Sequence, residues 1–188
     1  MAVSSLARVG GGEPHYSRTA MNTVEIGPER AADVAAIRTV HTEAFGRPDE
    51  AGLVDRLRER ARPYVGLVAA DGGEIVGHIV FTPVTLHCYQ APYTITALAP
   101  LAVRPAWQRR GVGAALVREG LAACRAAERD VVVVVGHPAF YPRFGFVRAR
   151  PLGLMSEPEF SDDAFMVAEL TPGALRGRRG VVLYSADF

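Results

Sequence analysis

The stretch Leu98-Ala99-Pro100-Leu101-Ala102-Val103-Arg104-Pro105-Ala106-Trp107-Gln108-Arg109-Arg110-Gly111-Val112-Gly113-Ala114-Ala115-Leu116 decides how this 188-residue chain is read. Its first part continues an apolar segment that begins at Thr94 and is rich in Thr, Leu and Ile, a composition that suits a pleated, buried strand, and Pro105 stops it. From Val112 onward, Leu116, Val117, Gly120, Leu121 and Cys124 recur at helical spacing, which predicts an amphipathic helix reaching about Arg129. Between strand and helix lies a loop carrying Gly111 and Gly113. Such a loop exposes unpaired main-chain N–H groups beside the positive end of the helix dipole, the arrangement a pyrophosphate requires. The glycines let the backbone come close, and Arg109 and Arg110 add cationic donors.

Downstream, the helix feeds Val131 to Val135, a pure valine run of the kind found in a strand buried on both faces. Phe165 to Leu170 and Val181 to Tyr184 read as closing strands, separated by Thr171-Pro172-Gly173 and an arginine-rich turn over residues 176–180. Upstream, Thr23 to Ile26 reads as a short strand, and Val34, Ile37, Val40, Ala44 and Phe45 mark a helix ending at Gly46. Asp49 is placed to cap a second helix that Pro63 closes. Tyr64 to Ala70, Asp71-Gly72-Gly73 and Glu74 to Phe81 form a β-hairpin, with Gly77 marking a bulge. The order strand, helix, helix, hairpin, strand, helix, strand predicts an α/β fold whose sheet is covered by helices on both faces.

Composition narrows the function classes. Lys plus Arg number 21 and Asp plus Glu 20, a net charge of +1, so no basic excess is available to grip a nucleic acid. The two cysteines, Cys88 and Cys124, fit no metal or redox spacing, and no metal is expected. No window is long and apolar enough to span a membrane, and residues 1–20 lack the apolar run of a secretory signal. Residues 1–20, rich in Ser, Gly and Ala, read as a disordered extension ahead of a single domain over 21–188, with translation starting at Met1 or Met21. A cytoplasmic protein, monomeric or homodimeric, is the expectation.

The spacing in the loop separates three phosphate-binding patterns. The P-loop GxxxxGK[ST] is absent, and the dinucleotide fingerprint needs a third glycine where Leu116 stands. The third pattern, Q/R-x-x-G-x-G/A behind a short apolar triplet, is matched by Gln108, Gly111 and Gly113 behind Leu101-Ala102-Val103. It resembles the acyl-CoA loop of the GNAT superfamily of N-acyltransferases. A second resemblance is independent of the first: Tyr141-Pro142-Arg143-Phe144-Gly145-Phe146 matches the Tyr-x-x-x-Gly-Phe segment in which this superfamily carries its usual acid. The resemblance covers the chain from about Thr23 onward, and the Phe165 to Tyr184 ending resembles a small bacterial subgroup of N-acetyltransferases within it.

The resemblance implies a mixed central sheet with helices on both faces and a V-shaped cofactor cleft between the strand ending at Val103 and the valine strand. Acetyl-CoA would be the acyl donor, and a small-molecule or peptide amine would attack the thioester directly. Main-chain groups of Leu101, Ala102 and Val103 would pair with the pantetheine arm, and the loop of Gln108, Arg109, Arg110, Gly111, Val112, Gly113 and Ala114 would hold the pyrophosphate. Tyr141 would protonate the departing thiolate, whose solution pKa is about 8.5 against about 10 for a tyrosine. A core aromatic packed on Phe144 and Phe146 is the other reading of Tyr141. Phe140 would pack against the cofactor arm or the core.

Two positions depart from the superfamily's pattern. Val134 stands where many relatives carry an asparagine that holds pantetheine, and Thr96, Ala97 and Leu98 offer no carboxylate base on the central strand. Glu43 is the nearest candidate base, with a solvated helix face as its alternative; a water chain is the other route for the amine's proton. Glu43, Asp49, Glu50 and Asp55 would suit a cationic acceptor if they face the cleft. His137 is a candidate proton shuttle or a polar loop residue. His78 and His87 read as strand positions, solvent-facing or satisfied in the core, and Trp107 as a packing residue. The missing strand carboxylate also leaves open a module that binds acyl-CoA without turning it over.

Overall fold

The tight turn at Asp71-Gly72-Gly73 joins two strands of unequal length, and the longer one organises the sheet. The computed structural model describes residues 24–185 and 188. The expected extension over residues 1–20 and the alternative start at Met21 lie outside the described residues. Strand β1 (Glu25–Pro28) is followed by helices α1 (Val34–Phe45) and α2 (Asp49–Arg60), then by β2 (Val65–Asp71), β3 (Glu74–Cys88) and β4 (Pro92–Val103). Helix α3 (Val112–Ala126) leads to β5 (Val131–Val135), a 3-10 turn over Tyr141–Phe144, and strands β6 (Val147–Arg148), β7 (Leu154–Glu157), β8 (Phe165–Glu169) and β9 (Gly180–Leu183).

The main strand order is β1-β2-β3-β4-β5-β8-β6, with β9 pairing both β3 and β7. β3 is long enough to change partners. Residues 74–81 pair with β2, and Thr85 to Cys88 pair with β9. The hairpin carries its bulge beside Gly77, because Ala69 and Ala70 face Gly77 and Ile75 and leave Val76 between them. Along the main path only β4 and β5 run parallel, and their pairing covers Thr96, Ala97 and Leu98 against Val132, Val133 and Val134. Beyond Leu98 the two strands part. At that point β4 places two residues, Ala99 and Pro100, opposite the single residue Val80 of β3. A bulge of this kind bends its strand and re-aims the side chains beyond it.

Two apolar layers sandwich the upper half of the sheet. Val112, Leu116, Val117, Leu121 and Cys124 of α3 pack on Ile79, Phe81, Leu98, Val132 and Val134. Ile37 and Val40 of α1, with Val54 and Leu57 of α2, pack on Val68, Val80 and Ala102 from the other side. Val131 to Val134 are buried on both faces as expected, while Val135 at the strand end is exposed, and helix covers only one of those faces. Val131 and Val133 pack against Ala149, Leu154 and Leu175, which lie outside the α-helices. The chain after β5 carries Pro138, Pro142, Pro151 and Pro158, and proline interrupts helix. Asp49 also differs from expectation. Pro48 occupies the N-cap, and Asp49 and Glu50 lie in the first helical turn, where negative charge favours the dipole. Among the described residues no helix is long and apolar enough to cross a membrane.

Candidate active site

The parting of β4 from β5 opens a cleft of about 480 Å³. Leu101 and Val103 of β4 form one wall. Their neighbour Ala102 points the other way, into the layer under α1 and α2, as strand alternation requires. The Val103 carbonyl accepts a hydrogen bond from Gln108 Nε2 at 3.0 Å. The glutamine thus ties strand to loop.

The floor is the start of α3. Gly111 is its N-cap at φ +88°, in the left-handed region that costs a side-chain-bearing residue energy. Val112, Gly113 and Ala114 open the helix, so their N–H groups have no carbonyl one turn back to bond. Gly113 and Ala114 line the cleft, while the Val112 side chain is buried in the core. A β-carbon on Gly113 would lie 3.6 Å from both Phe140 and Val103, so this glycine leaves space within the cleft. Arg109 lines the cleft, and the Arg110 guanidinium stacks over Trp107 at 5.3 Å. Trp107 is partly buried against the α3-face core, the packing role expected of it.

The far wall comes from the segment after β5. Phe140 and Tyr141 line it, with His137 and Arg143. Tyr141 is 7% exposed, and its ring meets Phe140 edge-on at 5.0 Å and Phe146 at 5.6 Å. Burial pushes its phenol up to about 12. The ring packs on Phe146, as expected of a core aromatic, with Phe140 where Phe144 was expected, and the residue also lines the cleft, the position an acid there would need. His137 Nδ1 accepts from the Ala139 N–H at 3.3 Å, which leaves the proton of the neutral ring on Nε2. Sequence reading did not single out Arg143. Its guanidinium lies 5.0 Å from the Phe140 ring, a contact that no spacing rule announces.

Charge in this region has one sign. Among the described residues no Asp or Glu lines the cleft. Among the described residues Arg109, Arg110, Arg118 and Arg143 enter no ion pair, whereas Arg30, Arg47, Arg58 and Arg104 do. A cleft with cationic walls and free helix N–H groups is built for an anionic ligand.

Glu43 is not brought there. Its carboxylate pairs with Arg104 at 2.8 Å, outside the cleft. Of the other acids expected to face an acceptor, Asp49 and Glu50 are likewise matched by Arg47, and Asp55 by Arg58 and Arg38. The expected negative face is therefore largely neutralised.

A separate titratable cluster lies beneath α1. His78 Nε2 donates to Glu29 Oε2 at 2.7 Å, so His78 Nδ1 accepts from His41 Nε2 at 2.9 Å. Tyr64 and Arg58 also donate to Glu29. Both imidazoles are 0% exposed, and burial is the main cause of their lowered pKa, to about 3 for His41. Burial alone would raise Glu29, but the hydrogen bonds from His78 and Arg58 hold it at about 2. His78 is thus satisfied in the core, and neither histidine lines the cleft.

The family model described as an acetyltransferase (GNAT) domain matches residues 25–149, a span that holds all of these cleft residues. The chain is 34% identical over 157 residues to the uncharacterized N-acetyltransferase YhbS of Escherichia coli K12, covering 83% of this chain and 93% of that protein. It is 44% identical over 117 residues to YjhQ of the same organism, where the match spans 65% of that protein's length. The solved structure of Escherichia coli YhbS in complex with CoA superimposes with a TM-score of 0.80 at 33% identity, covering 88% of this chain and 91% of that one. A GNAT family acetyltransferase from Brucella melitensis in complex with acetyl-CoA gives 0.72 at 33% identity, covering 89% and 99%.

Proposed function

The chain belongs to the GNAT acetyltransferase family, and on that premise we propose that it moves the acetyl group of acetyl-CoA to a primary amine by direct attack in a ternary complex. Two relatives solved with CoA and acetyl-CoA support the choice of donor. In this reading the pyrophosphate rests on the N–H groups at the start of α3 with Arg109 beside it. The pantetheine arm runs between Leu101 and Val103 on one side and Phe140 on the other. The amine nitrogen bonds to the carbonyl carbon, the carbon–sulfur bond breaks, and the sulfur leaves as thiolate. Tyr141 gives that sulfur its proton, and the phenolate recovers one from solvent. The amine's own proton passes to water, since no carboxylate among the described residues lines the cleft.

The observation that carries the assignment is the placement of Tyr141, a buried phenol in the cleft wall with no protein hydrogen-bond partner among the described residues. Its raised pKa keeps the proton on oxygen at every working pH. A thiolate forming against the same largely apolar wall has a raised proton affinity too, which brings donor and acceptor closer together.

The test is thiol release from acetyl-CoA over polyamines, aminoglycosides, free amino acids and lysyl or N-terminal peptides. One amine class is expected to accelerate release, and Tyr141→Phe to lower kcat by about 10²-fold or more while acetyl-CoA still binds. Silence across the panel, with acetyl-CoA still raising the melting temperature, would instead favour a module that binds acyl-CoA without turnover.

A further inference from the structure

We infer that Gly136 is a positioning residue: its bare α-carbon is the wall against which the Tyr141 ring is seated, and it thereby sets where the phenol hydroxyl stands in the cleft. The inference rests on the reading of Tyr141 as the group that protonates sulfur.

Gly136 directly follows β5, and its N–H donates to the Ala164 carbonyl at 3.0 Å, so the main chain here is pinned. A β-carbon at this position would lie 3.0 Å from Cδ2 and 3.2 Å from Cζ of Tyr141, and would overlap Cε2 outright. The glycine's φ lies outside the left-handed region, so a residue with a side chain suits its backbone. Space is what excludes one. Gly145 is the reverse case, with φ +89° and nothing near its missing β-carbon.

The other sides of the ring are closed by Phe140 and Phe146, and the hydroxyl bonds no protein acceptor among the described residues. Packing on the ring therefore fixes the oxygen, with no hydrogen bond to hold it if the ring moves. A methyl group at Gly136 must push the ring by about an ångström, a displacement that costs about 10²-fold when it falls on a reacting group. The start of α3, which binds the phosphates, lies on different elements and is left alone.

The experiment compares Gly136→Ala, Tyr141→Phe and the double variant by thiol release from acetyl-CoA, both with water as acceptor and with the best amine of the panel, and by calorimetric binding of acetyl-CoA. Gly136→Ala is expected to lower kcat by about tenfold to a hundredfold, with the acetyl-CoA Kd held within about threefold. The double variant should be no slower than Tyr141→Phe alone, although the methyl group still meets the ring and the stability cost persists. A merely structural role for Gly136 would lower kcat further in the Tyr141→Phe background. If Gly136→Ala does not fold, Phe146→Leu loosens the opposite side of the ring and should show the same split between kcat and Kd. Tyr141→Phe slowing release while both packing variants leave kcat unchanged would overturn the positioning role alone. Tyr141→Phe without effect would overturn both it and the reading of Tyr141.

Discussion

Gly111 and Gly113 stand in one motif and are glycines for different reasons. Gly111 is required by its backbone, at φ +88°, whereas Gly113 leaves room between Phe140 and Val103. A single β-carbon at 113 makes only ordinary contacts, so Gly113→Ala should bind acetyl-CoA almost normally. Gly113→Val places branched methyls where the proposed cofactor would approach and should weaken binding by about tenfold or more, about 1.4 kcal/mol; titration calorimetry on the pair checks it, and equal Kd values would count against the phosphate loop. Glu43 offers a second contrast. Its residue type and helix position suggested a base, but its partner Arg104 is 61 positions away in sequence, and no local pattern reveals that pair. Glu43→Gln should leave kcat within about threefold and cost no more than about 1 kcal/mol, the range of an exposed ion pair. With water taking the proton, kcat/KM should rise with pH toward the amine's own pKa, and a profile flattened by Glu43→Gln would restore this carboxylate as the base.

At the scale of elements, α3 and β4 were legible because both announce themselves locally, one by helical periodicity and one by an apolar run ended by Pro105. How closely they meet was not. Gly120 lies at the crossing of α3 over β3, where a β-carbon would overlap the Phe81 ring at Cε2 and Cζ and lie 3.4 Å from Cδ2. Gly120→Ala should therefore destabilise the protein by about 1–3 kcal/mol, the usual cost of overpacking, even though alanine is the better helix former. Urea unfolding measures it, and an unchanged midpoint would mean that the α3 contact relaxes freely. The valine run shows the same limit. Its burial follows from composition, but its cover over Val131 and Val133 comes from Ala149, Leu154 and Leu175, segments with no strong periodicity of their own.

The whole molecule adds a polar layer inside an apolar one. Glu29, His41 and His78 come from β1's C-terminal flank, α1 and β3, and meet only when those elements pack. The His41 imidazole is held at about 3 when folded, against an ordinary 6.5. Between those values the unfolded chain binds more protons than the native one, so stability rises with pH there and falls as pH drops below about 6.5. Glu29, held at about 2 against 4.5, extends the loss across the more acidic window. Urea midpoints should be level from pH 7 to 8 and decline from about pH 6.5 downward, with the upper part of the decline reduced in His41→Gln. A level profile down to pH 5 would mean that the buried histidines accept protons without cost.

The sequence by itself determined what depends on neighbours along the chain: the α/β order, the glycine-bearing helix start at Gly111 to Ala114, and the Tyr141 to Phe146 segment that resembles the acid-bearing part of a GNAT acyltransferase. Only the tertiary structure decided which side chains meet across the sheet. It drew Glu43, Asp49, Glu50 and Asp55 into ion pairs, set Arg143 in the cleft wall, buried His41 against His78, and laid the Tyr141 ring on Gly136. The reason is physical: periodicity and turn chemistry act over a few residues, whereas these contacts depend on the angle and distance at which separate elements pack, and no short stretch of chain encodes either.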